Sequence, residues 1–301
     1  MSRIEIHADD FGESIHASED ILTCIKAGAL DSISILSNMS CFEKCVEMYR
    51  EAETDFPISP KLSVHLNFME GKCLSEPKQL PDLVDCEGHF CISWMRLFAR
   101  SYLPGKNDLK RQLKAEMELQ IGAVRRAFPG MKKLRIDSHQ HTHMIPVVAE
   151  ALFEAIEENE WKVEYIRNSR EPIGPFLRAV SLYGTFQPVN FVKNLILNYC
   201  ALLMETRMKR LGCKPMFLWG LIMSGHMDEA RVRKLLPAMK KAAERKEREL
   251  EILFHPGQVK KSEISPEFSQ PEAIAFHISD NRRVEKEAVM SLGRQYDPDI
   301  V

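Results

Sequence analysis

Six side chains able to hold a metal ion or move a proton sit at the ends of four well-separated apolar runs. Asp9 and Asp10 end Ile4-Glu5-Ile6-His7-Ala8, and His65 ends Leu62-Ser63-Val64. Asp137 and His139 end Leu134-Arg135-Ile136, and His255 ends Leu250-Glu251-Ile252-Leu253-Phe254. Asp and His placed repeatedly where a strand stops gather on one rim of a parallel sheet or barrel, the rim at which α/β proteins carry their chemistry. A metal-dependent hydrolase is the function this arrangement suggests.

Asp10, His65 and His139 supply one carboxylate and two imidazoles. Three protein ligands leave room for water and a substrate oxygen. One divalent ion is expected, and the ligand types do not choose between Mg²⁺, Zn²⁺ and Mn²⁺. Because side chains alternate along a strand, Asp9 and Asp10 are expected to point in different directions. Asp9 is then the candidate general base, acting on a water whose pKa a divalent ion lowers from about 15.7 towards ~7. The competing reading of Asp9-Asp10-Phe11-Gly12 is a turn whose carboxylates cap the next helix.

In Asp137-Ser138-His139-Gln140-His141-Thr142-His143, an extended chain would place His139, His141 and His143 on one side. His139, nearest the strand end, is the expected ligand. Asp137 is placed to fix a histidine tautomer from behind, and His143 is expected to line the pocket. His255, followed by Pro256 and Gly257, stands at a strand tip as the candidate general acid, since a histidine titrates near neutrality. Arg167 and Asn168 are candidates for binding substrate hydroxyls, with an ion pair bracing a lid as the alternative for Arg167. His7, His16, His89 and His277 receive no role, and His226 lies close enough after a strand to reach the rim.

Seven short runs rich in Ile, Val and Leu read as buried parallel strands: 3–8, 32–37, 61–66, 133–138, 162–167, 215–219 and 249–254. Helices are expected over 14–26, 41–52, 108–127, 146–158 and 228–249, and the apolar stretch 191–204 reads as a buried helix. Gly28 and Pro146 are suitable stop and start residues. Strands alternating with helices predict a (β/α) barrel-like fold in a single domain over 1–301. Two irregular insertions rich in Pro and Gly, near 70–106 and 170–190, read as lids or substrate walls.

Among 301 residues the formal net charge is −2, which gives no electrostatic reason to expect nucleic acid or an anionic membrane as partner. No apolar run approaches the ~20 residues needed to span a bilayer. Strand-like sequence and Asp9-Asp10 follow Met1 almost at once, leaving no signal-peptide pattern. None of the eight cysteines forms a Cys-x-x-Cys pair, so reduced thiols in the cytoplasm are expected. Cys86, His89 and Cys91 lack an evident fourth ligand for a zinc clip.

Taken in order, four segments resemble the YdjC-type carbohydrate deacetylases, the group that includes chitooligosaccharide deacetylases. They are Ala8-Asp9-Asp10-Phe11-Gly12, Val64-His65-Leu66-Asn67 with Glu70-Gly71-Lys72, Asp137-Ser138-His139-Gln140-His141-Thr142-His143, and Phe254-His255-Pro256-Gly257. Arg282-Arg283-Val284-Glu285-Lys286-Glu287 is a weaker echo, whereas 73–104 and 174–188 match no pattern of the group. The resemblance implies a barrel-like fold, a divalent ion on Asp10, His65 and His139, and removal of an N-acetyl group from an amino sugar or short acetylated oligosaccharide. It also implies Asp9 as base, His255 as acid, and a homodimer. The rival readings are a metal-dependent barrel isomerase or phosphoesterase, and a sugar-binding or regulatory protein on the same scaffold.

Overall fold

The computed structural model describes residues 3–293. Seven parallel strands form one sheet: β1 (Ile4–Phe11), β2 (Ser32–Ile35), β3 (Lys61–Leu66), β4 (Leu134–Ser138), β5 (Val163–Ile166), β6 (Met216–Trp219) and β7 (Glu249–Phe254). Their order is β5-β4-β3-β2-β1-β7-β6, so the first strand lies inside the sheet, between β2 and the last strand. The sheet curls into a half-barrel. No strand ladder joins β5 to β6, but Leu218 N–H donates to the Arg170 carbonyl across that gap at 3.0 Å.

Each parallel step requires a crossover. The helices among the described residues are α1 (Ile15–Lys26), α2 (Phe42–Ala52), α3 (Trp94–Arg100), α4 (Lys106–Ala127), α5 (Pro146–Glu158), α6 (Gly174–Arg178), α7 (Pro188–Arg210), α8 (Glu229–Glu244), α9 (Pro271–His277) and α10 (Asp280–Gly293). Local chemistry sets their ends. Ser14 caps α1 by accepting the Ala17 N–H, and Pro146 occupies the first turn of α5, where no intrahelical partner is lost. Asp228 caps α8 by accepting the Arg231 N–H, and that helix stops at Glu244 rather than running to Glu249, which starts β7.

The two faces of the sheet differ in kind. Ile4, Ile6 and Ala8 of β1, Ile33 and Ile35 of β2, Val64 of β3 and Ile136 of β4 enter the apolar core together with Ile21, Val46, Ile121 and Leu152 of the surrounding helices. The alternate residues face the inside of the curve: Glu5, His7, Asp9, Ser32, Ser34, Ser63, His65, Arg135 and Asp137, all buried. The register sets them side by side, with His7 opposite Ser32, Ser34 opposite Ser63 and His65 opposite Asp137.

Inside the curve the chain replaces hydrocarbon with a continuous polar network. Glu5 is held by Lys61, Arg135 and Ser32. His7 bridges Ser32 and Ser34 at 2.6 and 2.7 Å, and Ser34 donates to Asp137 at 2.5 Å. Tyr165 and Arg167, from β5 and the residue after it, reach across to Glu251 of β7. Burial acts to raise the Glu5 carboxyl, yet Arg135 and Lys61 outweigh it and hold the group at about 2.

α7 departs from the expected buried helix. Leu197, Ala201 and Met204 are buried, but Val189, Val192, Leu195, Tyr199, Leu202 and Leu203 form an apolar stripe that is more than half exposed. The i, i+3, i+4 spacing puts those six on one face, so this helix is apolar towards solvent as well as towards the core.

Candidate metal centre and catalytic cavity

All five residues expected to do the chemistry meet at the C-terminal ends of the strands. Asp9, Asp10, His65, His139 and His255 line one cavity of about 380 Å³. The expected divergence of the two aspartates does not occur. Asp10 takes a left-handed backbone (φ 72°), and the β1–β2 register shifts between Ala8 and Phe11, so both carboxylates face the same space. A non-glycine residue there is strained by about 1–3 kcal/mol and persists only where its surroundings fix it.

Asp10 Oδ1 lies 3.1 Å from His139 Nδ1 and 3.5 Å from His65 Nε2. His65 Nδ1 is engaged by Asp137 at 2.7 Å, which leaves its buried Nε2 without a hydrogen-bond partner and facing Asp10. That orphaned nitrogen, together with an oxygen and a nitrogen this close, fits a divalent ion held by Asp10, His65 and His139. Burial works against protonation of both histidines, but the surrounding carboxylates prevail and push each up to about 10.

Asp9 sits beside this group with both oxygens 2.8 Å from the Arg167 guanidinium. Burial opposes its charge; Arg167, with His65 and His7, overcomes that and holds the carboxyl well below the usual carboxylate range. Arg167 is fully buried and also bonds Glu251, so its donors face the site from behind rather than open to a sugar. Asn168 is likewise buried and absent from the cavity wall. The hydroxyl-binding expectation for this pair is corrected accordingly.

His143 is also corrected. The chain is not extended after His139: residues His139–Met144 form a tight turn in which Gln140 (φ 53°) and His141 (φ 58°) are both left-handed. This kink sends His139 and His141 into the cavity and buries His143 behind it, between Ser138 Oγ and the Arg167 carbonyl. Burial lowers His143 to about 4, so it is neutral. His141 Nδ1 lies 3.1 Å from Ser169 Oγ. His255 projects its ring into the cavity against Phe276, and its backbone N–H donates to Glu285. His226 lies outside the cavity wall.

Four groups that sequence reasoning left without a role stand behind Asp10 and His139. Glu70 Oε2 is 3.2 Å from His139 Nε2 and 2.9 Å from His277 Nε2. His277 Nδ1 meets Glu13 at 2.8 Å, and Arg282 binds the second Asp10 oxygen at 2.9 Å. Burial disfavours charge on Glu70 and His277 alike, but His139 and then His277 bring the Glu70 carboxyl down to about 2, and Glu13, ahead of Glu70, lifts the His277 imidazole to about 9.

Most of the remaining wall comes from outside the two expected lids, Asn190 at the end of the second being the exception. Of 70–106, Glu70 approaches the site from behind His139, and among the described residues none of that segment lines the cavity. The lining is completed by Asn190 and Lys193 of α7, the 220–224 loop, and Gln270 to His277 around α9. A larger cavity, about 710 Å³, opens at the opposite pole between Tyr49, Lys61, Phe128 and Arg135. Its lining contains no histidine and no Asp–His group of the kind described above, so size does not make it the reaction centre.

Fold and site define a parallel half-barrel α/β protein with an Asp-His-His group at the strand ends that could hold a metal ion. A family model described as YdjC-like protein matches residues 3–294, and the chain belongs to that family. Over 156 residues it is 30% identical to a carbohydrate deacetylase of Homo sapiens, covering 52% of this chain and 45% of the relative. It is 28% identical over 163 residues to a carbohydrate deacetylase of Brevibacillus brevis (54% and 59%), and 26% over 167 residues to one of Xenopus laevis (55% and 50%). The chain thus spans about half the length of the curated relatives it matches. A solved structure from Enterococcus faecalis V583, provisionally named as a cellobiose-phosphate cleavage protein, superposes with a TM-score of 0.61 over 97% of this chain and 95% of that one. At 16% identity, that likeness establishes the fold alone.

Proposed function

We propose that this protein is a metal-dependent carbohydrate deacetylase that hydrolyses the N-acetyl group of an amino sugar or short acetylated oligosaccharide. The observation that carries the reading is the meeting of Asp9, Asp10, His65, His139 and His255 in one cavity. Relatives named as carbohydrate deacetylases support it.

Asp10, His65 and His139 would hold the divalent ion, with Asp137 and Glu70 fixing the two rings from behind. Bound there, Mg²⁺ or Zn²⁺ supplies Lewis acidity and lowers the pKa of water. Asp9 is kept ionised by Arg167; its Oδ1 is also approached by His7 at 3.1 Å, which leaves Oδ2, held by Arg167 alone, with the lone pair to orient water and take its proton. His255 stands at the cavity wall, its Nδ1 3.6 Å from the Glu285 carboxylate, as the group to protonate the departing amine. A sugar-binding protein would need neither of these two groups.

Acetate release from N-acetylglucosamine and its oligomers tests the reading. Turnover should require a divalent ion and should fall steeply in Asp9→Asn. Equal activity after exhaustive chelation, or no acetate from any acetylated sugar, would overturn it. The described residues include no helix long and apolar enough to cross a membrane; the eight unpaired cysteines suit a reducing compartment such as the cytoplasm. For the homodimer, the exposed stripe of α7 is the proposed contact; light scattering on Leu195→Lys/Leu202→Lys should return monomer.

A further inference from the structure

Glu171 takes no part in the proposed chemistry, yet its surroundings are built around it. It is fully buried in the segment after β5, and among the described residues no Lys, Arg or His is paired with it. Its Oε1 accepts the backbone N–H groups of Gly220 (2.8 Å) and Leu221 (3.1 Å). Its Oε2 accepts those of Ile222 (2.9 Å) and the Asn194 amide (2.9 Å). Asn198 bonds both the N–H and the carbonyl of the same residue. One side chain therefore ties three elements together: the segment after β5, the loop after β6, and α7.

Burying a carboxylate without a cation is costly, and amide donors offset the cost only when several converge. Here burial still pushes the group up to about 7 against four N–H donors. A hydrocarbon side chain would fill the same volume without that cost. What the carboxylate holds explains its presence. Gly220 and Leu221 line the catalytic cavity, as do Asn190 and Lys193 on the helix it grips. Asn190 in turn donates to the Ile222 carbonyl at 3.2 Å. Gly220 is confined from the other side as well: its φ is +147°, and a Cβ there would meet the Leu253 carbonyl oxygen at 2.7 Å.

We infer that Glu171 is a positioning residue for substrate, fixing the cavity wall formed by α7 and the 220–222 turn against the metal-side wall. It touches neither the Asp-His-His group nor Asp9, so it sets how well the sugar is held and leaves the acyl-transfer chemistry to others. The inference rests on the deacetylase reading only for its kinetic arm.

Glu171→Gln keeps the shape and volume but turns an NH₂ towards N–H donors. It should raise KM for an acetylated chitooligosaccharide at least tenfold, with kcat within about threefold and calorimetric affinity for Mg²⁺ or Zn²⁺ within about twofold. Asn194→Ala, which removes one of the four donors, should move KM the same way by a few-fold and serves if the first variant does not fold. A fall in kcat at unchanged KM, or no kinetic change, overturns the assignment. If the wild type releases no acetate, the deacetylase reading falls and calorimetry with glucosamine decides instead: binding weakened tenfold or more in the variants supports the positioning role. Equal binding, or none by the wild type, overturns it.

Discussion

The concave and convex faces of the half-barrel are made from the same strands yet hold together by different physics. On the convex face Ile4, Ile6, Ile33, Val64 and Ile136 pack beneath helices, and their contribution scales with area removed from water. On the concave face Glu5, His7, Asp9, Arg135, Asp137, Arg167 and Glu251 are equally buried, but each depends on a particular partner. The convex side is tolerant in detail and supplies cohesion. The concave side is exacting and supplies the site, which is why every proposed catalytic and metal-holding residue of the central strands belongs to it or to its rim.

Substitutions on the two faces should separate stability from activity. The largest effect is expected for Asp9→Asn, a loss of ~10²–10⁴-fold in kcat from removing a base, with divalent affinity by calorimetry little changed. Arg167→Met should follow: stranding Asp9, Asp137 and Glu251 without their cation should cost about 3–5 kcal/mol in urea unfolding. On the convex side Ile33→Ala should lower stability by about 2–5 kcal/mol while kcat of the folded fraction stays within about threefold. A large kcat loss there would break the division.

The pH dependence of metal binding probes the concave side again. With no ion bound, His65 and His139 are pushed up to about 10 and so carry protons at neutral pH. An incoming ion must displace them, so affinity should climb as pH rises from 6 towards 9, by about tenfold per unit for each proton released. Flat affinity across that range would mean the carboxylates do not hold those protons. The smallest effect is expected on the outer surface, where Lys106–Glu150 and Lys110–Glu154 link α4 to α5. Lys106→Ala should change stability by less than about 1 kcal/mol.

All seven strands were legible because each presents a short branched-apolar run, and their alternation with helices led to the parallel curl. The convergence of Asp9, Asp10, His65, His139 and His255 on one cavity was legible because each stands where such a run stops. What escaped notice was a second periodicity in the same runs. In Ile4-Glu5-Ile6-His7-Ala8-Asp9, Ser32-Ile33-Ser34-Ile35 and Leu134-Arg135-Ile136-Asp137, polar residues alternate strictly with apolar ones. That period of two signals a polar interior. Reading the runs simply as buried left Glu5, His7 and Arg135 without a purpose.

Other features had no local signal. The left-handed turns at Asp10, Gln140 and His141 use residue types that only tertiary constraint holds there, so the alternation rule misplaced Asp10 and His143. His277 meets Glu70 across 207 positions, a distance over which spacing carries no information. The insertions looked like lids because of their Pro and Gly content. The cavity is instead walled by α7, whose hydrophobicity suggested deep burial, and by α9.

The ionic lattice within the curve also constrains how such a protein can change over time. A helix-side residue can drift singly, because a lost methyl group leaves a hole and nothing more. An exchange at Glu5, Arg135, Arg167 or Glu251 strands a charge, and becomes tolerable only with a matching exchange across the lattice. Related chains should therefore show correlated replacement among strand-interior positions and independent replacement on the helical side. New substrate preferences should arise at the α7 and α9 walls, where a change leaves the lattice whole.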